Sequence, residues 1–133
     1  MKKVSILGST GSVGKSTVDV IQSQPEMFEV QAVTAHSNFK LLAEQAISLN
    51  AKMAVISNPA FYDDLVSLLS ETSIKVRTGP EALLEAARYP ADVVMMGVVG
   101  VAGLPPLMEA IKQGCSVAIA NKEPLVAAGT LVM

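Results

Sequence analysis

Residues 8–14 read Gly-Ser-Thr-Gly-Ser-Val-Gly, a run with a glycine at every third position. It follows the apolar segment Lys3 to Leu7, which predicts a short strand. It precedes residues 12–23, where apolar side chains recur at the spacing of a helix. Glycines at positions 8, 11 and 14 between a strand and a helix are typical of the turn that binds the diphosphate of a dinucleotide.

The glycines of this run have different expected roles. Gly8 would allow the tight turn out of the strand, Gly11 would let the backbone approach a pyrophosphate, and Gly14 would let the helix pack on the sheet. The N–H groups of Ser12 and Val13 would face the ligand at the positive end of the helix dipole. Three hydroxyl groups of the run offer further donors: those of Ser9, Thr10 and Ser12.

The segment 14–17, Gly-Lys-Ser-Thr, suggests an alternative, the P-loop of ATP- and GTP-binding proteins. That pattern requires a glycine at position 9, where this chain has Ser9. No apolar strand ends in a lone aspartate that would hold magnesium. The sequence therefore favours a dinucleotide site, and Lys15 is predicted to be a solvated helix residue.

Composition sets the class of protein. The chain has 133 residues, 50% of them hydrophobic and 17% charged, which is typical of one compact α/β domain. A formal net charge of −2 argues against a nucleic-acid partner. No apolar run reaches the ~20 residues of a membrane span, so we expect a cytoplasmic protein with no membrane contact. The single cysteine, Cys115, is predicted to be a packed core thiol.

Predicted strands and helices alternate along the whole chain. This order predicts a Rossmann-like α/β fold: a doubly wound, mainly parallel sheet with helices on both faces. The strands are expected at 3–7, 28–34, 51–56, 74–77, 92–96 and 116–120, and the helices at 12–23, 39–49, 59–69, 80–88 and 105–114. Asn58 and Pro59 are expected to open the third helix, as a cap followed by a proline in the first turn. The apolar residues expected on the inner faces of the helices include Val20, Leu65, Leu68, Leu83 and Leu84.

The end of the second predicted strand bears on cofactor choice. Domains that prefer NAD carry an acidic residue there, which accepts hydrogen bonds from the ribose diol. This chain instead continues His36-Ser37-Asn38, followed by Lys40, with no carboxylate to repel a 2′-phosphate. The segment favours NADPH over NADH. Alternatively it is a polar loop that caps the next helix through Ser37 or Asn38, and the two roles are compatible.

Two later segments are predicted at the carboxyl ends of the strands, where open α/β sheets bind ligands. The small-residue loop 97–103 would let the backbone lie close to a nicotinamide ring, or is a flexible connection. In the second segment, Asn121 and Glu123 would lie near the cofactor and Lys122 near an anionic substrate. The alternative for the second segment is a helix-capping salt bridge.

Other polar residues predict no chemistry. Asp63 and Asp64 are neighbours in a helix and point in different directions, so we expect them on the surface rather than as a carboxylate pair. His36, the single histidine, has no serine or cysteine at a spacing that suggests a hydrolytic triad. No His/Cys cluster predicts a metal site.

Residues 124–133 are apolar and end without a polar tail. They are either a short final helix docked on the core or the mark of a truncated chain whose missing part covered them. We favour truncation.

Three segments together resemble a known family: Ile6 to Gly14, Val98 to Leu104, and Ile119-Ala120-Asn121-Lys122-Glu123. In order and spacing, essentially the whole chain resembles the N-terminal part of the 1-deoxy-D-xylulose 5-phosphate reductoisomerase family. The resemblance implies an NADPH-dependent enzyme of non-mevalonate isoprenoid biosynthesis. Members rearrange 1-deoxy-D-xylulose 5-phosphate and reduce the product to 2-C-methyl-D-erythritol 4-phosphate, with a divalent metal (Mg, Mn or Co).

The resemblance also implies a division of the protein. Residues 1–133 would be the NADPH-binding domain, with no catalytic residue and no metal ligand of its own. The metal-binding carboxylates, the site for the substrate phosphate and the lid would lie downstream, so this chain alone is expected not to turn over substrate. The complete enzyme is expected to be a homodimer.

Site residues follow from the resemblance by position. Those assigned to the cofactor are Thr10, Gly11, Ser12, Val13, Asn121 and Glu123, and Lys122 is assigned to the substrate. The family usually has glycine, then lysine or arginine, then asparagine at 36–38, and this chain matches only at Asn38. His36 and Ser37 therefore remove a fixed positive charge near the 2′-phosphate.

Two other functions stay open on sequence grounds. One is the cofactor domain of a different NADP-dependent reductase, such as a semialdehyde dehydrogenase; an extended short-chain dehydrogenase would need a Tyr-x-x-x-Lys pair, which is absent. The other is a stand-alone nucleotide-sensing module.

Overall fold

The computed structural model describes residues 2–97, 104–114 and 116–119. The strands are β1 (Lys2–Leu7), β2 (Phe28–Ala35), β3 (Met53–Ile56), β4 (Lys75–Thr78), β5 (Val93–Met96) and β6 (Ser116–Ile119). The helices are α1 (Ser12–Ser23), α2 (Phe39–Leu49), α3 (Tyr62–Leu68), α4 (Pro80–Arg88) and α5 (Leu104–Gln113). A short 3-10 turn, Pro59–Phe61, precedes α3.

The six strands form one sheet in the order β4-β3-β2-β1-β5-β6, and all neighbouring strands are parallel. The chain moves outward from β1 to β4 and then returns through α4 to β5, on the other side of β1. This confirms the doubly wound fold predicted from the alternation of elements. The strand order reverses between β1 and β5, which creates a crevice at their carboxyl ends.

The sheet is covered on both faces. One group of buried residues joins the sheet to α1, α2 and α3 and includes Ile6, Val33 and Leu42. The other joins it to α4 and α5 and includes Leu7, Val94 and Ala86. Successive residues of a strand point to opposite faces, so central strands buried on both sides must be apolar almost throughout.

A bulge interrupts the pairing of β1 with β2. Val4 pairs with Val30 and Ile6 with Val33, so β2 holds one more residue than β1 between these pairs. Val30 and Val33 therefore face the same layer of helices although they are three positions apart. Gln31 lies in the bulge, buried, and its carbonyl accepts a 3.0 Å hydrogen bond from the Lys52 N–H.

The observed boundaries lie within two residues of the predicted ones, with one exception. Asn58 and Pro59 were predicted to open an α-helix directly, but the chain first makes the 3-10 turn. The Asn58 side chain does cap this turn, since its Oδ1 accepts a 3.0 Å bond from the Ala60 N–H. In the part of the chain that the structure describes, no helix is long and apolar enough to cross a membrane.

Two predicted core residues are exposed. Val20 of α1 is 56% exposed, because it lies about 200° around the helix from the buried Val18. Leu68 is 48% exposed, since it ends the seven-residue helix α3, whose contact with the sheet is made by Leu65 and by Leu69 just beyond its end. The apolar pattern predicted these helices correctly but overestimated the width of their buried faces.

Two leucines of α3 give a matched test of this packing. Leu65 is fully buried, so Leu65→Ala should lower the free energy of unfolding by about 2–5 kcal/mol. Leu68→Ala removes an exposed side chain and should change it by no more than about 0.5 kcal/mol. Urea denaturation followed by circular dichroism measures both, and equal losses would contradict this packing.

Candidate functional site

A cleft of about 690 Å³ lies at the carboxyl ends of the strands. This volume falls in the range of sites for small molecules and cofactors. The strand ends form its floor and α4 and α5 supply its walls. The lining residues are Gly8, Thr10, Gly11, Thr34, Ala35, His36, Ser57, Pro80, Leu83, Leu84, Gly97, Pro105 and Pro106.

The glycine run forms the turn that leads from β1 into the cleft. Gly8 has a φ of 80°, a backbone conformation that side-chain-bearing residues rarely adopt. The turn closes when the Gly11 N–H donates a 3.2 Å hydrogen bond to the Gly8 carbonyl. The predicted role of Gly8, a tight turn out of the strand, is confirmed.

Gly14 is required by a close approach of two backbone segments. A Cβ added there would overlap the Gly8 carbonyl oxygen and would lie 2.6 Å from the carbonyl carbon of Ser9. The helix α1 thus packs directly against the turn that precedes it, rather than only on the sheet as predicted. Gly97 makes a similar approach from β5, since a Cβ there would lie 2.9 Å from the Leu7 carbonyl oxygen.

Gly11 differs from these glycines. Its φ of −74° and ψ of 172° suit any residue, and an added Cβ would meet only the Gly8 carbonyl oxygen, at an ordinary 3.5 Å. Because Gly11 lines the cleft, its missing side chain leaves space on the side of a ligand. The predicted role of Gly11, to let a pyrophosphate approach the backbone, stays a prediction.

The helix α1 begins beside this space, since its N-cap residue lines the cleft. Gly11 is the N-cap of the helix and has no side chain to cap it. The first hydrogen bond of the helix runs from the Lys15 N–H to the Gly11 carbonyl, at 2.8 Å. By helix geometry the N–H groups of Ser12, Val13 and Gly14 have no acceptor within the helix, which makes this end suited to an anion.

A buried polar pair holds the turn from one side. The Ser9 hydroxyl donates to Oε1 of Gln45 at 2.7 Å, and Nε2 of Gln45 donates back to the Ser9 carbonyl at 2.9 Å. Ser9 is fully buried and Gln45, on α2, is 5% exposed. The prediction that the Ser9 hydroxyl is a donor for the ligand is therefore wrong: this hydroxyl is used inside the protein, whereas Thr10 lines the cleft.

Thr34, the penultimate residue of β2, holds the turn from the other side. Its Oγ1 accepts a 2.8 Å bond from the Gly8 N–H, and its carbonyl accepts a 2.8 Å bond from the Ser9 N–H. The shape of the turn is thus determined by contacts with β2 and α2, well beyond the glycine run itself.

The residues after β2 have two different positions: one lines the cleft and another caps α2. His36 lines the cleft and is exposed. Asn38 caps α2, because its Oδ1 accepts a 3.3 Å bond from the Leu41 N–H. The Ser37 carbonyl accepts a 2.8 Å bond from the Phe39 N–H. Ser37 and Asn38 are exposed and do not line the cleft, so their contacts with a cofactor stay predictions.

Several lining residues escaped the sequence analysis. Ser57 directly follows β3, and the rule that ligands bind at carboxyl ends would have found it had it been applied to this strand. Leu83 and Leu84 were predicted to point inward, but they are half-buried and form the apolar wall of the cleft. The smaller side chains of Ala82, Ala86 and Ala87 make the core contact of α4 instead.

Some predicted residues lie outside the described part of the chain: loop residues 98–103, Cys115, Asn121, Lys122, Glu123 and residues 124–133. Among the described residues, Lys15, Asp63 and Asp64 are exposed as predicted. Within the same part of the chain, no group of three or more His, Cys, Asp or Glu residues could hold a metal ion.

The glycine turn and the uncapped start of α1 meet the crevice where the strand order reverses, which is the place where doubly wound domains bind nucleotides. The fold and the site are those of a Rossmann-type nucleotide-binding domain. The sequence model described as 1-deoxy-D-xylulose 5-phosphate reductoisomerase matches residues 4–129, and the chain belongs to this family.

Relatives with this name are similar over the whole chain. The reductoisomerase of Wolbachia pipientis subsp. Culex pipiens (strain wPip) is 48% identical over 134 aligned residues, which cover 100% of this chain and 34% of the relative. That of Rhodospirillum centenum (strain ATCC 51521 / SW) is 47% identical, with 100% and 33% covered. The chain therefore spans about a third of the length of the curated relatives it matches.

Solved structures of reductoisomerases are also similar to this chain. The Zymomonas mobilis reductoisomerase in complex with NADPH superposes with a TM-score of 0.92 at 45% identity, covering 98% of this chain and 35% of that one. A DOX-P reductoisomerase in complex with NADPH, fosmidomycin and magnesium has a TM-score of 0.88 at 32% identity, with 99% and 33% covered. The resemblance predicted from the three sequence segments is confirmed.

Gly14 and Gly11 provide a paired test of the turn. Gly14→Ala forces a methyl group into backbone atoms, so it should lower the free energy of unfolding by about 2 kcal/mol or more. Gly11→Ala has an allowed backbone and space for the methyl, and should change it by no more than about 0.5 kcal/mol. Thermal and urea denaturation measure both, and similar losses would contradict the described contact.

Gln45 tests the buried pair. Gln45→Leu keeps the volume but removes the donor to the buried Ser9 carbonyl and leaves the Ser9 hydroxyl only its longer 3.3 Å bond to the Thr34 carbonyl, which should lower the free energy of unfolding by about 1–3 kcal/mol. The control is Gln22→Leu, which removes an exposed glutamine of α1 bonded to Ser48 and should change it by about 0.5 kcal/mol at most. If Gln22→Leu lowers the free energy of unfolding as much as Gln45→Leu does, the loss in Gln45→Leu does not come from the buried pair.

Proposed function

We propose that this chain is the NADPH-binding part of a 1-deoxy-D-xylulose 5-phosphate reductoisomerase. The observation that carries the proposal is the space beside Gly11, which lines the cleft and is the N-cap of α1. Support comes from the Zymomonas mobilis relative, which shares the fold at 45% identity and was solved in complex with NADPH.

The residues of the turn fit the diphosphate of this cofactor. Thr10 offers a hydroxyl that lines the cleft, and Gly11 offers a backbone without a side chain. Ser12 and Val13 would supply main-chain N–H groups from the first turn of α1. Partial positive charge at a helix start attracts anions in a chain whose net charge of −2 supplies no general attraction.

The rest of the cleft fits the adenosine half of a dinucleotide. Leu83, Leu84 and Pro80 form an apolar wall suited to a flat base. His36 and Ser57 supply polar groups at the ends of β2 and β3. Since Ala35 ends β2 and no carboxylate follows it, a 2′-phosphate would meet no negative charge there, which favours NADPH over NADH.

In the proposed enzyme, bound NADPH supplies a hydride for the reduction step. The described residues would bind the cofactor and orient it toward the rearranged substrate. Asn121, Glu123 and Lys122 keep their predicted roles at the cofactor and the substrate. The described residues contain no fitting ligand set for a divalent metal, so its ligands would come from other parts of the protein. The homodimer and the cytoplasmic location also stay predictions.

Binding of reduced cofactors tests the proposal. Nicotinamide fluorescence should show that the purified protein binds NADPH at least about tenfold more tightly than NADH, because a phosphate contact contributes about 1.4 kcal/mol or more. Gly11→Ala should weaken NADPH binding by about tenfold, since its methyl enters the ligand side of the turn.

Lys15→Gln is the control. A P-loop would lose its phosphate contact in this variant, whereas the proposed site keeps its affinity for NADPH because Lys15 is exposed and outside the cleft. Tighter binding of NADH, or loss of binding in the control, would contradict the proposal. In the complete protein, oxidation of NADPH should depend on 1-deoxy-D-xylulose 5-phosphate, and another carbonyl substrate would indicate a different reductase.

A further inference from the structure

His36 has an unusual position in the cleft. It is the one ionisable side chain among the described residues that line it; the others are glycines, prolines, aliphatic residues, two threonines and a serine. The chain contains no second histidine. We infer that His36 makes recognition of the cofactor's 2′-phosphate depend on pH, so that selectivity for NADP(H) over NAD(H) falls as the imidazole loses its proton. This inference rests on the proposed function.

His36 directly follows β2, at the place where the residue that contacts the ribose 2′ position of the cofactor is expected in a Rossmann domain. Its carbonyl accepts a 3.0 Å hydrogen bond from the Asn58 N–H, and the carbonyl of the preceding Ala35 accepts a 2.9 Å bond from the Ser57 N–H. Two bonds to the segment after β3 thus fix the main chain, while the imidazole is exposed to the cleft and to solvent.

Other charged side chains lie on the elements around His36. The helix α2 carries Lys40 and Glu44, α3 carries Asp63 and Asp64 in its first turn, and α4 carries Glu81 in its first turn. All five side chains are exposed and none lines the cleft. Histidine is the residue type that changes charge near neutral pH, and His36 is the one histidine among the described residues that line the cleft.

The sign of the effect follows from the two partners. Histidine loses its charge between pH 5 and 8, while a phosphate monoester gains its second negative charge near about pH 6. Hydrogen bonds between charged groups are about twice as strong as neutral ones. The contact is strongest where the imidazolium and a largely ionised phosphate coexist, near about pH 6, and it weakens as pH rises. Without the histidine, rising pH would only add charge to the phosphate.

Calorimetric titration with NADP+ and NAD+ tests this inference. The oxidised cofactors are used because reduced nicotinamides decompose in acid. The ratio of the two affinities should fall about tenfold from about pH 6 to about pH 8.5 at constant ionic strength. In His36→Asn the ratio should be lower near pH 6 and should stay constant or rise with pH. In His36→Lys it should stay high throughout, since lysine keeps its charge.

Lys2→Gln serves as the control for a general loss of charge. Lys2 is exposed at the start of β1, at the end of the sheet opposite the cleft, so its variant should keep the wild-type pH dependence. Two results would overturn the inference. One is a fall in the ratio of the NADP+ and NAD+ affinities with rising pH that persists in His36→Asn. The other is loss of that fall in Lys2→Gln as well as in His36→Asn.

Proton NMR gives a second readout that a structural role would not produce. With one histidine in the chain, the imidazole C2–H signal needs no assignment between residues. Its titration midpoint should move to higher pH with saturating NADP+ than with saturating NAD+, and equal midpoints would overturn the inference. If NADP+ does not bind at any pH, the proposed function itself fails. If it binds with a constant ratio, only the role of His36 fails.

Discussion

The site depends on the contact between α1 and the turn that precedes it. At Gly14 the helix lies so close to the backbone of Gly8 and Ser9 that no side chain fits between them. The N-cap of this helix, Gly11, lines the cleft at the carboxyl ends of the strands. Thr34 and Gln45 then fix the turn from two sides through buried hydrogen bonds. One missing side chain thus sets the relative position of strand, turn and helix.

The cleft combines two kinds of surface with different origins. The side proposed to bind phosphate is made of groups between residues 8 and 14, so it is local in the sequence. The opposite side is assembled from the ends of β2 and β3 and from Leu83 and Leu84 on α4. The family relationship covers both, because residues 4–129 match one family model and superpose on its solved members. His36 is a point at which this chain departs from the pattern expected of that family.

The fold could be predicted because its determinants are local: apolar runs, helical spacing and the glycine run each act within a few residues. The site could be predicted only in part. That Ser9 bonds to Gln45, 36 residues away, depends on how α2 packs, which spacing alone does not determine. Leu83 and Leu84 resemble core residues in any pattern, but they are half-buried, whereas the alanines of α4 are buried against the sheet.

The proposed binding of phosphate by main-chain groups at the start of α1 has an evolutionary consequence. Backbone N–H groups are the same for every residue except proline, so most substitutions at Ser12 or Val13 leave these donors in place. Side-chain substitutions therefore change little in this part of the proposed site, apart from Gly11, where a larger side chain would occupy space beside the turn. An inhibitor anchored to these donors would therefore leave resistance few positions at which to arise.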